Sequence, residues 1–319
     1  LINNFFKNLY QYQAKETPMI IYNNTGYKLA QVQEKPFKLE KEIQNIFENN
    51  LNSIMGLQLV KSEFTIKNKR IDSLAFDKQS NAFIIIEYKR DKNYSVVDQG
   101  LTYLNLMLQN KAEFILTYNE TLQDTLHSKD VDWSQSRVAF VSPSFTENQI
   151  SASDFKDFGI ELWEVKQFEN NTISINSIKK SNGAPSIKPL LENSEKLKEV
   201  KENIKVYTEE DHYNSGSDAT IELYEKFKTS IFNLADNIEI LPQKFYIAFK
   251  KGSNISDIEI QKKSLKIFIN AKIGTLDDPK GLAKDVSNIG HRGNGDYQIQ
   301  IENDKDLEYI MSLIKQVIK

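Results

Sequence analysis

The sequence predicts an α/β protein with a mixed sheet flanked by helices, followed by a small α+β domain. Three observations predict it. A helical repeat of apolar residues follows Pro36, three strand-like runs follow that repeat, and a second group of helix and strand patterns begins after a polar stretch at residues 176–217.

The elements read in order. Asn23-Asn24-Thr25-Gly26 is a turn-forming cluster between Met19–Tyr22 and Tyr27–Val32, which predicts a short hairpin. Leu39, Ile43, Ile46, Phe47, Leu51 and Ile54 recur at helical spacing. Glu40 lies at the edge of that stripe and is expected to look inward, whereas Glu42 falls well outside it and is expected in solvent. Strands are expected at 57–66, 70–76 and 82–89, punctuated by Gly56, Asn68 and the 77–81 cluster. A helix is expected over 96–108, then strands at 113–117, 137–141 and 160–165, completing a mixed sheet.

Residues 176–217 carry loop chemistry in Ser181-Asn182-Gly183-Ala184-Pro185-Ser186 and then charge, which reads as a linker with one exposed helix near 194–204. The last part, 218–319, is expected to hold a helix at 221–234, strands at 244–249 and 264–270, a helix opened by Asp278-Pro279 and running to Asn288, a strand at 296–301 and a closing helix at 306–317.

Composition narrows the function classes. The chain has 319 residues, with 41 Lys plus Arg against 44 Asp plus Glu, a formal charge of −3. That balance argues against a wholly electrostatic nucleic-acid binder, but leaves room for an enzyme with a local positive surface. Cysteine is absent, which removes disulfides, thiolate–zinc sites and thiol nucleophiles and suits a reducing compartment. Its three histidines, His127, His212 and His291, are too scattered for a histidine metal cage. No run approaches the roughly 18 apolar residues of a membrane helix, so no membrane partner and a cytoplasmic location are expected. The chain starts at Leu1 rather than Met, and Met19 offers an alternative start.

The chemistry-bearing stretch is Lys69-Arg70-Ile71-Asp72-Ser73-Leu74-Ala75-Phe76, a turn, then Phe83-Ile84-Ile85-Ile86-Glu87-Tyr88-Lys89. Side chains alternate along a strand, so Glu87 and Lys89 share one face. If 78–81 forms a four-residue loop, Asp77 opposes Ala82 and Asp72 opposes Glu87, with Cβ atoms about 5 Å apart. Two carboxylates then converge beside one lysine at the end of an apolar strand. Like charge and burial both penalise that pair, and a divalent cation relieves both penalties. Hard oxygen donors suit Mg²⁺ or Mn²⁺, with Asp72 and Glu87 as ligands. Lys89 is placed to orient a water, and the set fits metal-assisted hydrolysis of a phosphodiester. Glu164-Val165-Lys166 and Glu199-Val200-Lys201 also read Glu-x-Lys, so the tripeptide alone carries little weight. Gln99 and Tyr103 stand four apart on one helix face. Lys67, Lys69, Arg70, Lys89, Arg90 and Lys92 cluster near the hairpin, either to meet phosphates or as the solvated lysines of an edge strand.

These motifs, in this order, resemble the PD-(D/E)xK nuclease superfamily over about residues 36–165. Leu39-Glu40-Lys41-Glu42-Ile43-Gln44 resembles its first-helix motif, Arg70-Ile71-Asp72 its Asp strand, Ile86-Glu87-Tyr88-Lys89 its Glu-x-Lys strand. Gln99-Gly100-Leu101-Thr102-Tyr103 resembles the Gln-x-x-x-Tyr motif of RecB-like and archaeal mismatch-type members. Ile71 replaces the proline of the family name. The resemblance implies a restriction-endonuclease-like domain within 1–175, a Mg²⁺- or Mn²⁺-dependent nuclease acting on DNA, and a restriction, repair or defence setting. It implies that Asp72 and Glu87 hold the metal, Lys89 positions the attacking water, Glu40 completes the acidic site, and Gln99 and Tyr103 touch the DNA backbone or brace the site. A homodimer is an assembly that this reading allows. The rival reading is a catalytically silent nucleic-acid- or partner-binding module on the same fold.

The C-terminal part resembles an uncharacterised domain family often fused behind such nucleases. Lys244-Phe245-Tyr246-Ile247-Ala248-Phe249, Asp278-Pro279-Lys280-Gly281 and the segment 285–296 carry the likeness, which implies no activity and leaves its partner unknown. Gly290 to Gly295 reads as a tight turn or as an anion-binding nest, with His291 a loop or packing residue.

Overall fold

The computed structural model describes residues 19–90, 95–181, 183–187, 189, 198–203, 207–289 and 292–318. Strands β1 (Ile21–Thr25) and β2 (Lys28–Val32) form the expected hairpin, turning at Gly26, whose φ of 71° lies in the left-handed region. Helix α1 (Glu40–Met55) follows and ends at Gly56, again left-handed with φ 69°.

Strands β3 (Gln58–Ile66), β4 (Lys69–Asp77) and β5 (Ala82–Tyr88) run antiparallel. Helix α2 (Val96–Gln109) then leads to α3 (Lys111–Leu122), and β6 (Arg137–Ser142) lies parallel to β5. Helix α4 (Glu147–Ser153) precedes β7 (Ile160–Gln167), parallel to β6, and β8 (Ile173–Ile178) returns antiparallel. The six strands lie in chain order, β3 to β8. The expected mixed α/β sheet is therefore present, with its helix, three antiparallel strands, helix and parallel strand in sequence.

Alternation along β4 and β5 assigns the two faces. Leu74, Phe76, Phe83 and Ile85 pack with Tyr103, Leu104, Met107 and Phe114 of α2 and α3. Ala75, Ile84, Ile86 and Tyr88 pack with Ile43, Phe47 and Leu51 of α1. Every residue of β5 is buried, as its continuous apolar run requires of a central strand.

Two sequence expectations fail here. Residues 113–117, expected as a strand, lie inside α3, because Phe114 and Tyr118 stand four apart and both enter the core. The helix expected near 194–204 is α5 (Lys198–Asn203), and it is not solvated, since Val200 is 1% exposed in the first core. Elsewhere in 176–217, β8 belongs to the main sheet, Ile187 is buried in the same core, and Ser181 and Ile187 are held by Asp154 and Asp157. Helix α6 (Glu209–Tyr213) opens the second unit.

That unit carries α7 (Asp218–Phe232), then β9 (Glu239–Pro242), β10 (Ile247–Lys251), β11 (Ser253–Ile260), β12 (Leu265–Ile269), β13 (Lys284–Asp285), β14 (Tyr297–Ile301) and α8 (Leu307–Lys315). Its antiparallel sheet has the order β13-β14-β12-β11-β10-β9, and α7 and α8 share its apolar core. The expected helix from Asp278 to Asn288 is absent. Asp278 takes the backbone N–H of Ala283 at 2.7 Å, Gly281 adopts φ 63°, and β13 pairs with β14 instead. Gly290 and His291 lie outside the described residues.

No helix among the described residues is long and apolar enough to cross a membrane.

Candidate active site

The register decides whether two acids can meet. Asp77 pairs with Ala82 and Ser73 with Ile86, so the four-residue loop fixes the ladder as the spacing predicts and sets Asp72 beside Glu87 at its end. Glu87 Oε1 accepts from the backbone N–H of Asp72 at 3.3 Å, and Asp72 Oδ2 accepts from that of Tyr88 at 3.0 Å. Each carboxylate is thus tied to the strand that carries the other.

Glu87 is 2% exposed. Burial first, and then the charge of Asp72, push its carboxyl up to about 7, against the pull of Lys89. Asp72 is also raised, mainly by burial, while the N–H of Tyr88 and the charge of Lys89 oppose the shift. Lys89 Nζ lies 3.1 Å from Glu87 Oε2. Helix α2 closes this face. Gln99 Nε2 donates to Glu87 Oε2 at 3.3 Å, and Tyr103 donates its hydroxyl to the Arg70 carbonyl at 3.3 Å. The buried Tyr103 hydroxyl titrates well above its ordinary range, so it stays a donor.

The structure thus brings Asp72, Glu87, Lys89, Gln99 and Tyr103 together. Glu40 differs from expectation. It is exposed, while Glu42 is half-buried, because α1 packs on the other face of the sheet and presents Glu40 from its first turn. Glu40 accepts the Arg90 backbone N–H at 3.0 Å, and its charge still reaches Asp72. Arg70 is exposed and paired with Glu63, Lys69 is exposed, and Arg90 donates to the Lys38 carbonyl at 2.7 Å. Lys92 lies outside the described residues.

The sequence reading missed a polar network on the α1 side. Gln44 Nε2 donates to the Asp72 carbonyl at 2.9 Å and to Glu48 Oε1 at 2.9 Å. Ser73 donates to Glu48 at 2.5 Å and lies 3.2 Å from the Tyr88 hydroxyl. The signal was available: Glu40, Gln44 and Glu48 recur every fourth residue, on one helix ridge. Glu63 was also missed. It sits across from Asp72 on β3 with a left-handed φ of 54°, neutralised by Lys41 at 2.9 Å and by Arg70.

Gly100 sets the approach of α2. A Cβ there would meet Ile160 Cδ1 at 2.3 Å inside the core. Gly100→Val is expected to lower unfolding free energy by about 1–3 kcal/mol in denaturant titration, through overpacking.

As a cation site, the donor set is two hard carboxylates. Among the described residues no group of three or more His, Cys, Asp or Glu side chains is placed to hold an ion. Two carboxylates with the remaining positions left to water fit Mg²⁺ or Mn²⁺, and do not fit a closed zinc or calcium cage. The same pair makes a pH prediction. A carboxyl titrating near 7 when folded and near 4.5 when unfolded binds more protons folded, so stability falls as pH rises between those values. In chelator-treated protein, Glu87→Gln is expected to gain on the parent across that window, by about 3 kcal/mol at pH 8 relative to pH 4. Denaturant titrations at both pH values check it, and a pH-independent difference would contradict the buried charge.

Residues 209–317 match a family model described as a domain of unknown function (DUF5655). An "Uncharacterized protein" of Haemophilus influenzae (strain ATCC 51907 / DSM 11121 / KW20 / Rd) is 56% identical over 301 residues, spanning 94% of this chain and 100% of its own length. Among solved structures, a repair endonuclease from Pyrococcus abyssi aligns at 20% identity over 41% of this chain and 48% of that one, with a TM-score of 0.24. A structure described as an EndoMS-dsDNA2 complex aligns at 15% identity over 44% of this chain and 49% of that one, also with a TM-score of 0.24. Both alignments span about half of the solved chain. At 56% identity along nearly its whole length, the chain belongs to the same family as the Haemophilus influenzae protein.

Proposed function

We propose that the protein is a metal-dependent nuclease of the PD-(D/E)xK type, hydrolysing phosphodiester bonds, with DNA as the favoured substrate. One observation carries this reading: two carboxylates from adjacent strands, one nearly inaccessible, are held at the same strand end beside a lysine, in an arrangement that burial and mutual repulsion disfavour. Asp72 and Glu87 would hold Mg²⁺ or Mn²⁺. When bound, that ion supplies Lewis acidity and lowers the pKa of water.

The remaining work falls to the chain. Lys89 offers a cationic donor on the face of Glu87, suited to orienting a water nucleophile and to meeting charge that develops on the phosphoryl oxygens. Gln99 keeps Glu87 in its rotamer, and Gln44 anchors the Asp72 backbone from behind. Lys69 and the charge of Arg70 lie on the approach to this end of the sheet, where phosphate contacts would position a strand. The test is cleavage of single- and double-stranded DNA and of RNA with Mg²⁺ or Mn²⁺, against chelator and Asp72→Asn controls. Binding without cleavage, unaffected by metal, would favour the silent-module alternative.

A further inference from the structure

A separate concentration of positive charge lies on the C-terminal unit, beside the loop before β14. Arg292 is exposed, and its guanidinium carbon stands 4.4 Å from the centre of the Phe245 ring. Lys244, also exposed, holds its ammonium nitrogen 5.1 Å from the same centre. Such contacts keep a cation near a ring without using its N–H groups. Among the described residues neither side chain has a carboxylate or hydrogen-bond partner. The two cations therefore lie within about 10 Å of each other, roughly one Debye length at 0.1 M salt, and repel.

The backbone that carries them is pinned on both sides. Gly293 presses on Phe268, where a Cβ would come within 2.2 Å of the ring. Asn294 donates its backbone N–H to Asp257 Oδ2 at 2.5 Å and its Nδ2 to the same oxygen at 2.9 Å, on a carboxylate with 0% exposure. The same Nδ2 reaches the Tyr246 hydroxyl at 2.9 Å, and that hydroxyl donates to the Gln79 carbonyl in the turn after β4. Before Phe245, the Gln243 carbonyl accepts from His212 Nε2 at 2.8 Å, and the Gln243 N–H donates to the Tyr246 carbonyl at 2.8 Å. Arg292 and Lys244 thus leave a fixed frame, and only their side chains are free to adjust, which lowers the entropy cost of binding. The frame meets β4 at the end opposite Asp72, about 17 Å along the strand at roughly 3.3 Å per residue.

Charge and shape select the ligand. The Arg292 fork matches two oxygens of one phosphate, and Lys244 brings a compact charge on a flexible stem. A phosphate monoester carries about −1.5 to −2 at neutral pH and three acceptor oxygens, which matches two cations. A carboxylate or an internal phosphodiester carries a single charge and two free oxygens, and leaves one cation unmatched. We infer that Arg292 and Lys244, seated on Phe245, bind a phosphate monoester, the terminal phosphate of a nucleotide or of a nucleic-acid strand. Arg292 takes two of its oxygens and Lys244 the third. The inference does not rest on the nuclease reading, and no metal enters it.

The experiment is calorimetric titration of the full chain, in chelator, with hexathymidylate phosphorylated at its 5′ or its 3′ end, and with inorganic phosphate. The reference is a hydroxyl-ended strand one nucleotide longer, which has the same number of phosphates. One of the phosphorylated strands is expected to bind at least about tenfold more tightly than the reference, the worth of one charge-assisted pair. Arg292→Gln is expected to remove that preference, and Arg292→Lys to restore only part of it, because one ammonium does not match two oxygens. Asp72→Asn is expected to leave it unchanged. Binding of inorganic phosphate that Arg292→Gln abolishes points to a free phosphate as occupant, and a preference confined to the strands points to a strand end; either supports the site. Equal affinity for all strands with no saturable binding of phosphate, or binding that Arg292→Gln leaves unaltered, would overturn it.

Discussion

Asp72→Asn is expected to abolish metal-supported cleavage to within measurement, a loss of at least about 10²–10³-fold, corresponding to several kcal/mol of charge stabilisation. The same change is expected to leave the fold as stable as the parent or more so, because it removes one of two carboxylates that repel each other under burial. Loss of activity together with retained or increased unfolding free energy is the signature of a site maintained against stability. Lys89→Met, which keeps the aliphatic stem and removes the charge, is expected to reduce turnover by about 10²-fold, as for a positioned proton-transfer or oxyanion group. Gln99→Ala is expected to cost less, about tenfold, since Gln99 reaches the chemistry through Glu87 Oε2 and the Tyr103 hydroxyl. Single-turnover cleavage beside denaturant titration checks all three. Parental cleavage by folded Asp72→Asn would remove the nuclease assignment.

Arg137→Met is expected to give the largest stability loss in the chain, about 3–5 kcal/mol at pH 7, because it strands two carboxylates beside the core. Arg137 lies 3.0 Å from Asp77 and also pairs with Glu161, joining β6 to the hairpin turn and to β7. Burial works against its charge, and Glu161 and Asp77 more than offset that, so its guanidinium sits above its ordinary value. Asp77 is held below its ordinary value: burial would raise it, but Arg137, Ser80 and the Gln79 N–H outweigh burial. A carboxyl with a lowered folded value contributes stability that is present above its unfolded value and lost as pH falls through the folded one. The deficit of Arg137→Met is therefore expected to be full at pH 7 and to shrink below about pH 4, where Asp77 protonates in the unfolded chain. Urea titrations at pH 7 and pH 3.5 measure it. A deficit that does not change with pH would assign the effect to packing alone.

The readable parts of the fold were those whose residues report on near neighbours. The all-apolar run before Glu87 specified a buried strand, and the four-residue turn specified which Asp would face Glu87, because strand period and loop length together fix register. The misread parts depend on partners far along the chain. Residues 113–117 look β-like in isolation, and Phe114 and Tyr118 become a helix face only because Phe76 and Phe83 stand ready to receive both rings. Val200 lies in a charged segment, and only packing against α2 takes it out of solvent. Strand β11 was missed because Asn254, Ser256 and Asp257 interrupt its apolar alternation, and Ser256 and Asp257 find their partners in Phe268 and Asn294, on a neighbouring strand and a distant loop.

Glu40 marks the boundary within the site itself. Helical periodicity placed it at the edge of an apolar stripe, but periodicity says nothing about which face of a sheet the helix covers, and α1 covers the face away from Glu87. What the sequence alone determined was the pairing of Asp72 with Glu87 and the presence of Lys89 beside them, since local geometry dictates both. What only the tertiary structure decided was which helix closes over that pair, that Gln44 and Glu48 support it from behind, and that the C-terminal unit abuts the opposite end of the same hairpin. Those contacts join residues between 12 and 167 positions apart, and their energies exist only once the chain has closed the intervening loops.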